Sequence, residues 1–150
     1  MYYELIRLVK EPFNPSEAIE ETSRSLPKVG GVASFTGIVR TDGAVEALEL
    51  SYYEPLTLSG MEDIGGEACV RFDLESITII HRVGNMQPGE PIVCVAAAAQ
   101  HRRGAIDAVD FCMDHLKSAA WFWKREKRAG VWHWIEPRAE DYADLARWAE

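Results

Sequence analysis

The order of strand-like and helix-like segments predicts an α+β fold: strand, helix, strand, strand, helix, strand, strand, helix, then a returning strand and a short terminal helix. Two observations carry this reading. Residues 32–39, 45–53, 76–80 and 92–96 are apolar or alternating runs of strand length, whereas residues 102–117 repeat apolar positions at helical spacing. The order also lacks the regular βαβ alternation of a doubly wound dinucleotide domain. At 150 residues and 47% apolar composition, the chain fits one domain over residues 1–150, large enough for a real core.

Residues 2–9 read as a strand with incomplete alternation. Asn14 then supplies a cap, and Pro15 suits the first helical position, where no N–H partner is needed. Ala18, Ile19, Thr22 and Leu26 are expected as the buried stripe of that helix, which Pro27 helps to end. Gly30-Gly31 reads as a flexible turn. Gly37, inside the strand at 32–39, predicts a bulge or a close approach of another backbone. Past the turn Thr41-Asp42-Gly43, the next strand alternates Ala47, Glu49 and Ser51 against Leu48, Leu50 and Tyr52. A helix is expected over 56–70, with Gly60, Gly65 and Gly66 pointing to close contact with a sheet.

The strand at 76–80 runs into His81-Arg82-Val83-Gly84, and Gln87-Pro88-Gly89-Glu90 is a turn. Residues 92–96 are nearly all apolar, as in a central strand. In the helix at 102–117, Ala105, Val109, Cys112 and Leu116 line one side, joined by Ile106 and Met113, with Asp107, Asp110 and Asp114 turned away. Arg128-Ala129-Gly130 turns the chain into residues 131–135, where alternation assigns Trp132 and Trp134 to a core or interface with His133 opposite. Tyr142, Leu145 and Trp148 are expected to line the terminal helix.

A formal net charge of −8 excludes a general nucleic-acid binder but leaves room for a local anion site. Cys69, Cys94 and Cys112 lie in apolar stretches without CxxC spacing, which argues against a disulfide framework or a structural zinc site. His81, His101, His115 and His133 lack close ligand spacing, so no metal is expected. There is no signal-peptide pattern and no apolar run of membrane-spanning length, so the expected compartment is the reducing cytoplasm.

Against that acidic background, residues 117–128, KSAAWFWKREKR, hold five of the sixteen basic residues and three aromatic ones. The stretch is either an anion site or a solvated basic surface whose tryptophans plug the core. Lys117 points within about 20° of Ile106 and about 40° of Met113 on a helical wheel, at the border of the apolar face. A lysine there either snorkels to water or, partly desolvated, is tuned for proton transfer or attack on a carbonyl. Lys124 converges with it if the chain turns back, and Glu126 is placed to orient an ammonium or to form a surface pair. His101-Arg102 begins a helix after an apolar strand, where backbone N–H groups and a guanidinium fork favour a phosphate, and Arg40 ends another strand. A solvated helix start is the plain alternative. Arg102 and Lys117 are fifteen residues apart, about 22 Å along one helix, so one small ligand does not reach both within a single copy. They serve different sites, or a two-fold dimer brings them together.

Five segments in order, FTGIVR at 35–40, HRVG at 81–84, QHRR at 100–103, MDHLK at 113–117 and FWKRE at 122–126, resemble successive signatures of the MoaE family, the large catalytic subunits of molybdopterin synthase. The resemblance implies an α/β hammerhead fold with an additional antiparallel β subdomain. It implies a central homodimer with a small ubiquitin-like sulfur-carrier subunit at each end, a heterotetramer in all. The carrier's Gly-Gly C-terminus, as a thiocarboxylate, would give sulfur to cyclic pyranopterin monophosphate and form the dithiolene of molybdopterin, with no cofactor or metal in this step. Lys117 and Lys124 match the catalytic lysines, Glu126 and Arg125 a neighbouring charge network, and Arg40, His101 and Arg102 the substrate phosphate pocket assembled across the dimer. The chain departs from the family pattern in a short turn at 41–44 and in Ala120-Trp121, which stands where a proline-containing approach to FWKRE is common. Readings outside the family are a noncatalytic anion-binding subunit and a hydrolase using His101 as base.

Overall fold

The structure, a computed structural model, describes residues 1–119 and 121–149; Ala120, one of the departures noted above, lies outside them. Two four-stranded sheets organise the chain. Strands β1 (Tyr3–Val9), β4 (Ser76–Arg82), β6 (Pro91–Ala99) and β2 (Gly31–Ile38) form a mixed sheet in the order β1-β4-β6-β2, with β1 parallel to β4 and the other pairs antiparallel. Strands β5 (Gly84–Met86), β3 (Ala47–Tyr52), β7 (Phe122–Arg128) and β8 (Val131–Ile135) form a wholly antiparallel one in the order β5-β3-β7-β8. This is an α+β architecture with an added antiparallel subdomain. The apolar segment expected to be central is central: β6 lies between β4 and β2 and is buried from Val93 to Ala99.

Helix α1 (Pro15–Ser23) covers one face of the mixed sheet. Asn14 caps it through the Ser16 N–H, and Thr22 anchors it: its hydroxyl donates to Ala18 O at 2.7 Å and lies 3.0 Å from the Thr78 hydroxyl, from which it can accept. The helix ends at Ser23, before Leu26, so that residue is not part of the stripe. Helices α2 (Glu54–Arg71) and α3 (Arg102–Lys117) cover the other face. Phe111 is fully buried there, edge-on to Phe72 and Trp148 at 5.5 Å from each, and truncating such a ring costs about 3–5 kcal/mol. Ile106, assigned to the apolar side of α3, is 45% exposed: its position lies past the edge of the stripe formed by Ala105, Ala108, Val109 and Cys112.

Of the α2 glycines, Gly60 and Gly65 are close contacts and Gly66 is not. A Cβ on Gly65 would meet Ile6 Cδ1 at 2.9 Å, against β1, and one on Gly60 would overlap the Trp121 indole. Gly30, read as a flexible turn, is instead pressed on Gln100 O, and its N–H donates to Ala99 O at 2.9 Å. Helix α4 (Ala139–Ala146) returns to α3, where Arg147 bridges Asp110 at 3.0 Å and Asp114 at 2.5 Å. Tyr142 is 54% exposed rather than lining that contact, whereas Trp148 donates to Asp114 Oδ2 at 2.6 Å and packs on the core. Trp132 and Trp134 also lie outside the core, on the outer face of the antiparallel sheet. Cys69, Cys94 and Cys112 are free and buried. No helix among the described residues is long and apolar enough to cross a membrane.

Candidate functional site

Where the two sheets meet the C-terminal end of α3, a cavity of about 510 Å³ opens. Its floor is apolar, with Leu48 and Leu50 from β3, Val93 from β6, Leu116 from α3 and Phe122 from β7. Four basic side chains reach it: Arg40, Lys117, Lys124 and Arg138. Glu126, Glu136 and Asp141 are its carboxylates.

Strand alternation selects which residues of the basic stretch face inward. Phe122, Lys124 and Glu126 point into the cavity, opposite Tyr52, Leu50 and Leu48 in the register of β3. Arg125, between them, points outward. It donates to Glu49 Oε1 at 2.6 Å and lies over the Trp132 ring at 4.5 Å. It is therefore separated by the sheet from Lys124 and Glu126. Lys117 is the last residue of α3, where the negative end of the helix dipole favours a cation. The approach to β7 is fixed by α2: Thr57 donates to Trp121 O at 2.8 Å, and Gly60 makes room for the indole.

Burial lowers the pKa of Lys124, and the Lys117 charge lowers it further, while Glu126 and Asp141 oppose the shift. A lysine so placed gives up its proton more readily than one in water. Asp141 is held below the usual carboxylate range, first by Arg138, which donates from Nη2 to Oδ1 at 3.1 Å, and also by Lys117. His81 faces the same cavity, with its ring 4.2 Å from that of Phe122. Burial pushes its pKa down to about 4, aided by the charges of Lys117 and Lys124. Its Nδ1 contacts Arg82 O at 2.9 Å; in the neutral ring the proton therefore belongs on Nδ1.

Of the residues singled out in the sequence, Arg40, Lys117, Lys124 and Glu126 meet at this cavity. His101 and Arg102 do not: they stand exposed at the opposite end of α3, with His101 the N-cap residue. Sequence reasoning missed His81, Arg138 and Asp141. His81 lies in a quoted motif and reads as an ordinary strand-end histidine. Arg138 follows Pro137 in a segment whose return to the cavity no local pattern announces. Among the described residues no cluster of His, Cys, Asp or Glu has the arrangement of a metal site. The cavity can receive an anion over an apolar floor and supply protons from two ammonium groups.

Comparison with known proteins gives this geometry a family. The model of the MoaE protein family matches residues 8–119. The molybdopterin synthase catalytic subunit of Caulobacter vibrioides is 43% identical over 145 residues, which cover 96% of this chain and 97% of the relative. That of Pseudomonas aeruginosa is 38% identical over 148 residues, covering 97% and 99%. Among solved structures, the molybdopterin cofactor biosynthesis protein E from Burkholderia multivorans superimposes with a TM-score of 0.84 at 36% identity, over 99% of both chains. Molybdopterin synthase from Staphylococcus aureus does so with a TM-score of 0.77 at 29% identity, over 85% of this chain and 94% of the other. With sequence and fold matched over nearly its whole length, the chain belongs to the MoaE family, the catalytic subunits of molybdopterin synthase.

Proposed function

We propose that the cavity transfers sulfur from the C-terminal thiocarboxylate of a small ubiquitin-like carrier, ending in Gly-Gly, to cyclic pyranopterin monophosphate. Two such transfers, from successive carriers, open the cyclic phosphate and build the dithiolene of molybdopterin. The observation that carries this reading is the convergence of Lys117 and Lys124, from a helix end and a strand, on one apolar-floored cavity that also holds Arg40. Thiocarboxylate and phosphate are both anions, so bringing them together requires cations that offset their repulsion. A lysine with a lowered pKa suits proton delivery to a leaving oxygen. Glu126 steadies the Lys124 charge from the same strand face, and Arg125 braces that strand from outside through Glu49.

Arg40 holds the substrate phosphate together with His101 and Arg102 of a second copy, in a homodimer that carries one carrier subunit at each end. Two features support the dimer. Arg102 and Lys117 are separated by the length of α3, about 22 Å. Strand β2 is a sheet edge carrying exposed Val32, Phe35 and Ile38, with Ile106 exposed on the helix whose N-terminus packs beside it. Holding the half-sulfurated intermediate by its phosphate lets a spent carrier leave while the pterin stays. The reaction belongs in the cytoplasm.

The test combines the purified protein with thiocarboxylated carrier and the cyclic pyranopterin and measures dithiolene product. Lys117→Ala is expected to lower turnover about a hundredfold or more, the scale of a lost proton-transfer group, with a substantial loss for Lys124→Ala. Near-normal turnover in both variants would overturn the lysine assignment.

A further inference from the structure

Arg82 ends β4, a strand on which every residue is buried, and its own exposure is 4%. Its guanidinium reaches both β5 and the turn that joins β5 to β6. Nη1 meets Glu90 Oε1 at 2.8 Å, and Nη2 donates to Asn85 O at 2.9 Å. The second Glu90 oxygen accepts the Gln87 N–H, which closes the turn across Gly89, a residue at φ +90°. The Gln87 amide and then Arg82 hold the Glu90 carboxyl below its usual range.

The same turn grips the chain beside the cavity. Gly89 N–H donates to Val39 O at 2.8 Å, and Val39 N–H donates to Glu90 O at 3.0 Å. These two bonds take over where the regular β2–β6 ladder fails, since the register shifts between Gly37 and Ile38. Val39 is buried and Arg40 follows it into the cavity. Past the bulge, the backbone carrying Arg40 is therefore placed by the turn, and the turn by the Arg82 fork.

An ion pair whose guanidinium is buried while its carboxylate stays partly exposed is a poor source of stability, because desolvating the Arg82 charge offsets much of the attraction. A planar fork that meets two acceptors at fixed angles supplies geometry, which a lysine ammonium does not reproduce. We propose that Arg82, through Glu90 and the turn at 87–90, is the positioning residue that aims Arg40 into the cavity. The proposal rests on the reading of Arg40 as a ligand of the substrate phosphate, and its test separates the two.

Two variants, Arg82→Lys and the charge-neutral pair Arg82→Met with Glu90→Gln, are compared with wild type by amide hydrogen exchange and by kinetics in the reconstituted reaction. Cooperative melting establishes that each is folded; where the Arg82 variants do not fold, Glu90→Gln alone takes their place in both arms. The expected result is faster exchange at Val39 and Gly89 with protection unchanged in α3. KM for the cyclic phosphate should rise about tenfold or more, as displacement of a binding group does, and kcat should change much less. In an Arg40→Ala background the same substitutions should raise KM no further. Unchanged exchange at Val39 and Gly89, or a KM rise that adds in full to that of Arg40→Ala, would overturn the proposal. If wild type makes no product, the sulfur-transfer reading is what fails, and the exchange measurement alone decides whether Arg82 braces the turn.

Discussion

Lys117 and Lys124 face one cavity from elements of different kinds, the first as the last residue of α3, the second on the inward side of β7. Burial raises the free energy of the Lys124 charge, and the Lys117 charge raises it further. Such repulsion is tolerated where an anion is to be received between cations. It also predicts a conflict between stability and activity at this position.

Lys124 binds its proton less tightly in the folded chain than in the unfolded one, so at neutral pH its charge opposes folding. Lys124→Met, which keeps the stem and removes the ammonium, should melt at a higher temperature than wild type. Its dithiolene formation should fall about a hundredfold or more. A lower melting temperature would mean that the ammonium is a net stabiliser.

The phosphate pocket proposed to be shared between subunits predicts complementation. Arg102→Ala and Lys117→Ala homodimers should each be nearly inactive. After subunit exchange, mixed dimers retain one site with both residues intact and should recover activity. Failure in confirmed mixed dimers would count against a site shared between copies.

Gly60 and Gly66 lie on the same helix but meet different surroundings. A Cβ on Gly60 would overlap the Trp121 indole, whereas one on Gly66 would meet only Glu4 Oε1, at 3.6 Å. Gly60→Ala should cost about 1–3 kcal/mol through overpacking and reduce turnover by moving the segment that leads to Lys124. Gly66→Ala should stabilise by up to about 1 kcal/mol through helix propensity. Thermal melts of the two variants check the contrast; equal effects would show that Trp121 yields easily.

His81 gives the fold a pH dependence. Its folded pKa of about 4 lies below the ordinary value of 6.5, so in that window the unfolded chain binds a proton and the native one does not. Its contribution is complete above about pH 6.5 and is lost as pH falls toward 4, an amount on the order of 3 kcal/mol. The difference in urea stability between wild type and His81→Gln should shrink across that interval. A constant difference would show that His81 titrates alike in both states.

Much of this was legible in the sequence for a simple reason: α3 and β6 are periodic or uniformly apolar, and local pattern determines such elements. The α3 boundaries, 102 and 117, coincide with those expected. Strand β5 went unread because its three residues are set by tertiary pairing with β3. Alternation places Trp132 and Trp134 on one face of β8 but does not say which face that is. Alternation also separates Arg125 from Lys124 and Glu126, a division that proximity in sequence hides. Arg40, Lys117 and Lys124 could be nominated from their motifs, yet their meeting depends on the Thr57–Trp121 anchor and on the Gly89–Val39 pairing. Those are contacts between segments far apart in the chain, and no local period encodes them.

The three buried thiols have a consequence for a protein proposed to handle sulfur. Burial raises the pKa of Cys94, pushes that of Cys69 up to about 12, and shifts that of Cys112 in the same direction. Since the thiolate is the attacking species, none of them would compete for the terminus of the proposed carrier. A passing acyl group has no resident thiol to settle on, and alkylating reagents should leave the native chain unlabelled.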